Sequence, residues 1–149
     1  MKHHAPILGA FAATSLLIAG ATTAAPPSNK DIVNAMFDAF NAHDVTALKS
    51  FYTEDARVFS PEQCGPTVGP EAIGANYTAL FEQVPDVHDQ VEILVAEGDR
   101  VAVVFTASSQ ISGAEFRLPI AAMLRFEDGK VAEDRVFYET DMPAQCEQR

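Results

Sequence analysis

Val87-His88-Asp89-Gln90-Val91-Glu92-Ile93-Leu94-Val95 decides the fold class, because here the hydropathy pattern changes period. Val87, Asp89, Val91, Ile93 and Val95 alternate with His88, Gln90, Glu92 and Leu94, the two-residue repeat of a strand. Toward the C-terminus the same period continues. Glu97-Gly98-Asp99 is a turn, 101–109 a strand, 111–114 a turn and 115–126 a long strand. Glu127-Asp128-Gly129 then makes a hairpin into a last strand over 130–140.

Toward the N-terminus the period is helical. Ser28 with Asp31 has the form of a capping box, and Val33, Met36, Phe37 and Phe40 recur at helical spacing from about Asn29 onward. His43-Asp44 ends that helix, and Asp44 caps a shorter one carrying Val45, Leu48, Phe51 and Tyr52. A strand is expected over 56–59 and a Pro- and Gly-rich loop over 61–69. Pro70 opens a third helix, with Glu71 in its first turn and Ile73, Tyr77, Leu80 and Phe81 on its buried side. Three helices followed by a run of antiparallel strands is an α+β arrangement in which the helices cover one face of a curved sheet.

The chain opens with Lys2, His3 and His4, an apolar run over 5–20 and small residues over 21–25. That is the layout of a secretory signal, and cleavage near Ala24 is expected, with export to a periplasmic or extracellular space. About 125 residues would remain, enough for one core and too few for two. The expected organisation is a signal peptide over 1–24, a leader over 25–30, one domain over 31–141 and a tail over 142–149.

The net charge is −11, and the signal peptide over 1–24 carries a lysine but no acid, so cleavage makes the chain more negative. Such a surface repels phosphate backbones and anionic lipid, which argues against nucleic-acid partners and, after cleavage, membrane partners. An oxidising compartment allows a Cys64–Cys146 disulfide. No His, Cys, Asp or Glu set has metal-ligand spacing, and no glycine-rich phosphate loop occurs, so neither metal nor cofactor is expected.

Asn41-Ala42-His43-Asp44, Phe51-Tyr52-Thr53-Glu54-Asp55-Ala56, Gly69-Pro70-Glu71-Ala72-Ile73, Pro85-Asp86, Glu97-Gly98-Asp99-Arg100-Val101-Ala102-Val103 and Arg125-Phe126-Glu127-Asp128-Gly129-Lys130-Val131 follow one another in this order. Over roughly 29–141 the chain resembles the SnoaL-like branch of the nuclear-transport-factor-2-like superfamily, which includes ketosteroid isomerases. The resemblance implies a cone: a curved antiparallel sheet wrapped around three N-terminal helices, with an apolar pocket at its open end. It also implies pairing of two copies through the outer sheet face. The superfamily holds enzymes and non-catalytic members, so the fold alone assigns no activity.

Ketosteroid isomerase uses an aspartate base with a tyrosine and a protonated aspartic acid as donors. An ungapped match puts the donor tyrosine at Met36 and the base at Ser60, and the hairpin puts the protonated acid at Ala122. None of the three can do that work, so that mechanism is not expected. The same match keeps Tyr52 and Tyr77, read either as ligand-binding hydroxyls or as satisfied core residues. On the last strand, Ala132, Asp134, Val136 and Tyr138 share one face, and the resemblance marks it as the cavity face.

The expected pocket comprises Met36, Phe40, Tyr52, Ser60, Tyr77, Ile120, Ala122 and Val136, with Asp134 and Tyr138 as the catalytic candidates. An aspartate among these apolar groups would have a raised pKa suited to proton transfer; at the rim it would stay solvated or paired. His88 reads as a surface residue and His43 as a helix-end residue. The expected ligand is a small apolar or carbonyl-containing molecule. Simple binding, cofactor-free isomerase or cyclase chemistry, and a dimerisation module are the three functional readings.

Overall fold

The computed structural model describes residues 25–111 and 113–140. The expected signal sequence over 1–24 and the tail over 142–149, Cys146 included, lie outside the described residues.

Helix α1 (Asn29–Asn41) starts at Ser28, whose hydroxyl accepts from the Asp31 amide while the Asp31 carboxylate accepts from the Ser28 amide. This reciprocal cap satisfies two backbone donors that a helix start leaves open. Ile32, Val33, Met36, Ala39 and Phe40 form its buried face. Helix α2 (Val45–Ser50) is capped by Asp44 and buries Leu48. Helix α3 (Pro70–Gln83) begins after Gly69, whose φ of 82° is a conformation that favours glycine.

Six strands form one sheet: β1 (Tyr52–Phe59), β2 (Thr67–Val68), β3 (His88–Glu97), β4 (Arg100–Ile111), β5 (Ala114–Glu127) and β6 (Lys130–Phe137), in the order β2-β1-β6-β5-β4-β3. All neighbours are antiparallel except β1 and β6, which run parallel. The first and last strands thus meet at mid-sheet, and the sheet curls over α1. Ile32, Val33 and Met36 pack there against Val101, Val103, Phe105, Ala122, Leu124, Phe126 and Val131, the main core.

Three local expectations change. Tyr52 belongs to β1 rather than α2, because β6 recruits the chain at that point, with Tyr52 opposite Val131 and the Val131 amide donating to the Phe51 carbonyl. Local periodicity cannot see such a long-range pairing. The 61–69 loop contains β2, which pairs with Arg57 and Val58. Finally, the strict alternation over 87–95 breaks at a bulge between Val91 and Ile93. The inserted residue turns Leu94 inward and leaves Ile93 and Val95 on the outer face, 55% and 57% exposed.

Candidate functional site

Between α1, α3 and the concave sheet face lies a cavity of about 570 Å³, lined mainly by apolar side chains. Met36, Phe40, Ser60, Tyr77, Ile120, Ala122, Asp134, Val136 and Tyr138 all line it. The three positions that the isomerase match singled out, Met36, Ser60 and Ala122, are therefore wall residues without acid or base. Tyr52 stands behind the wall, 1% exposed, and reaches the site through its hydroxyl.

Asp134 occupies mid-β6, where Val58 of β1 and Leu124 of β5 flank it in register. With apolar neighbours on both sides, the residue is 7% exposed. Its Oδ2 accepts a long hydrogen bond of 3.5 Å from the Tyr52 hydroxyl, and its Oδ1 has no partner. Burial lifts its pKa from 3.8 to about 7, against the opposing pull of the Tyr52 hydrogen bond. An acid so placed is half ionised near neutrality, the condition for giving and taking a proton at comparable rates.

The Tyr52 and Tyr77 hydroxyls lie 3.0 Å apart, so Tyr77, Tyr52 and Asp134 make one chain of polar groups through an apolar wall. Burial, reinforced by the nearby carboxylate, holds both phenols above their ordinary pKa and keeps them neutral donors. Of the two phenols, Tyr77 is the one that lines the cavity. Tyr138 follows β6 and lines the cavity with Glu62; burial and that nearby acid push its pKa up to about 12. Asp134 and Tyr138 line the same cavity but do not join in one hydrogen-bonded pair.

Asp89 is the functional candidate that sequence reading passed over. It lines the same cavity, is 7% exposed, has an unpartnered Oδ1, and is pushed by burial to about 7. Its place is set by the end of α1: the Asn41 amide donates to the Asp89 carbonyl at 2.9 Å, and the Asp89 amide donates to Asn41 Oδ1 at 2.8 Å. Next to this clasp, His43 Nε2 lies 3.1 Å from the Val87 carbonyl, and the ring stacks on Phe81 with centroids 4.1 Å apart. The Asn41-Ala42-His43-Asp44 motif thus fastens the first helix to the start of β3. The available signal was an acid between Val87 and Val91 on the apolar side of an amphipathic strand.

The SnoaL-like domain model matches residues 33–134, the span from the middle of α1 to Asp134 itself. The chain belongs to the SnoaL-like family. No curated protein matches it significantly. Among solved structures, it is similar to IdmH, a candidate polyketide cyclase of Streptomyces antibioticus, at 21% identity and a TM-score of 0.68, covering 76% of this chain and 93% of that one. A candidate SnoaL-like polyketide cyclase of Jannaschia sp. CCS1 shares 24% identity at a TM-score of 0.65, over 74% of this chain and 85% of that one. A Catenulispora acidiphila protein with a ketosteroid isomerase-like fold, solved with trimethylamine, shares 22% identity at a TM-score of 0.66, over 72% and 85%. At these identities the likeness establishes the nuclear-transport-factor-2-like cone and leaves the chemistry to the residues of this SnoaL-like chain.

Among the described residues no group of His, Cys, Asp and Glu is arranged to hold a metal ion, and no helix is long and apolar enough to cross a membrane. Cys64 is disulfide-bonded. Its sequence-expected partner, Cys146, lies outside the described residues.

Proposed function

We propose that this SnoaL-like protein takes a small, largely apolar, carbonyl-containing molecule into the cone and moves a proton next to that carbonyl without a cofactor. The observation that carries this reading is Asp134: a carboxyl group buried in an apolar wall, with one oxygen unpartnered and its pKa near 7. As a carboxylate it takes a proton from the carbon beside the carbonyl. The electrons of that C–H bond move into the enol system, and Tyr77, its hydroxyl proton turned from Tyr52 to the ligand, donates to the carbonyl oxygen. The protonated Asp134 then returns the proton at a second carbon or, where the enol carbon closes on a second carbonyl of the same molecule, gives it to the oxygen that the closure leaves negative. Tyr138, which lines the same cavity as Glu62, orients the far end of the molecule.

The test is exchange of α-protons of a panel of cyclic ketones in heavy water, followed by proton NMR. Wild type is expected to accelerate exchange of at least one ketone. Asp134→Asn should abolish that acceleration while ketone binding, read from amide shifts, persists. Exchange unchanged in Asp134→Asn removes the residue from the chemistry. Met36, Ser60 and Ala122 favour a second reading, plain binding, because they keep the wall apolar while removing the isomerase's groups. Binding with no exchange in wild type would select it.

Export and self-association belong to the same proposal. The signal-like sequence over 1–24 supports export. For a dimer, the outer sheet face supplies two cross-strand apolar rows, Val95-Ala102-Met123 and Ile93-Val104-Ala121-Phe137. Ile93, Val95, Met123 and Phe137 are each 44–57% exposed. Light scattering on a gel-filtration column should give twice the chain mass, and a monomer at micromolar concentration would count against the pairing.

A further inference from the structure

The cavity holds carboxyl groups and no cation. Glu62, Asp89 and Asp134 line it, and no Lys, Arg or His does among the described residues. Lys49 pairs with Glu71, Arg117 with Glu115, Arg125 with Glu127 and Arg135 with Glu133, and none of these eight residues lines the cavity. Two of the three cavity acids are more than nine-tenths buried with an unpartnered oxygen. A ligand carrying a carboxylate or phosphate would meet these groups with nothing to offset the repulsion.

Asp89 and Asp134 differ in what already touches them. Asp134 has the Tyr52 hydroxyl. No hydrogen bond or ion pair reaches the Asp89 carboxyl group among the described residues, although Asn41 grips its backbone on both sides. The residue is rigidly placed and its side chain left without a partner. The two acids stand on β3 and β6, separated in the sheet by β5 and β4, and Tyr77 feels the charge of both. The same space is walled by the rings of Phe37, Phe40, Tyr77 and Phe105, whose faces attract a cation.

We propose that Asp89 is the recognition site for a positively charged amine or ammonium group on the ligand, so that the cone selects an apolar carbonyl compound bearing a cation at one end. This rests on the cone being a ligand site, as proposed above, and adds its charge selection. The cation pairs with the Asp89 carboxylate against the aromatic wall, while Asp134 with Tyr77 is left for the carbonyl end. Burial pushes Asp89 up to about 7, and such a ligand opposes that shift by favouring the ionised form.

The test compares benzoylcholine with its uncharged isostere, 3,3-dimethylbutyl benzoate, by calorimetry at about pH 8, where Asp89 is mostly ionised. Wild-type protein should bind the cation about tenfold tighter or more, as a charge-assisted contact predicts. Asp89→Asn should bring the two affinities within about threefold of each other. In wild type, amide shifts at Asp89 and Asn41 should move with the cation, a readout that stands even if the variant fails to fold.

Equal binding of both esters overturns the charge selection and leaves the cone as a ligand site. Binding of neither overturns both readings. A preference that survives Asp89→Asn, or is lost only in Asp134→Asn, overturns the assignment to Asp89.

Discussion

Replacing Asp134 by Asn should stabilise the protein by an amount that grows with pH, because the carboxyl group is the costly partner in its own pocket. Burial raises its pKa from 3.8 to about 7. That is roughly 3 units at about 1.36 kcal/mol each, or about 4 kcal/mol between the ionised and neutral forms. The sign follows from proton binding. An acid whose folded pKa is raised keeps its proton longer in the folded state, so its stabilising contribution is complete below 3.8 and is lost as pH rises through about 7. Asn has no proton to lose and keeps a similar shape.

Urea unfolding of wild type and Asp134→Asn between about pH 4 and pH 8 should therefore show the variant gaining about 4 kcal/mol relative to wild type across that range. Subtracting one curve from the other removes contributions common to both, including those of Asp31 and Glu133, whose hydrogen bonds to Ser28 and Arg135 hold them low and act in the opposite direction. A difference that does not change with pH, or that shrinks as pH rises, would refute the claim that Asp134 is desolvated.

Tyr52→Phe removes the donor that holds Asp134 down, so carboxyl-carbon NMR should find its titration moved upward; a fall would mean the 3.5 Å contact is not a hydrogen bond. Gly69→Ala should destabilise by about 1–2 kcal/mol. Its φ is 82°, and an added Cβ would meet the Glu54 carbonyl at 3.2 Å; unchanged thermal unfolding would argue against this turn. Leu48→Ala should cost about 2–5 kcal/mol, since Leu48 is 1% exposed and packed with Ala39, Phe40 and Val87, and a loss well under 1 kcal/mol would show that packing to be loose. Intact mass of the exported protein should begin at about Ala25, and retention of Met1 would remove the signal assignment.

Much of the architecture was legible in local signals. The Ser28 and Asp31 pair marks the start of α1 because capping involves neighbours three residues apart, and the structure has both of its hydrogen bonds. Pro70 marks the start of α3, and Glu127-Asp128-Gly129 the last hairpin, with Asp128 and Gly129 both at positive φ. What local pattern missed is what distant strands impose. The bulge at Val91 is visible only against β4, and it sends Ile93 and Val95 outward although their alternation with Val91 reads as inward.

Asp134 was accessible to period-two reasoning because it alternates with Val136 and Tyr138, which line the cavity with it. Asp89 was harder to single out. Flanked by His88 and Gln90, with Asp86 nearby, it has the neighbourhood of a solvated strand end. Only the clasp from Asn41, 48 residues away, makes it a buried acid.

The sequence by itself determined the helix starts, the turns, the change from helical to strand period and the family, since each depends on residues close together or on their order. The tertiary structure alone decided that β1 and β6 meet in parallel, that Tyr52 stands behind the cavity wall, and that two aspartates share one apolar space. Desolvation is the physical reason. A carboxyl group's pKa depends on how much water and which charges surround it, and those are set by strands and helices that the local sequence does not name.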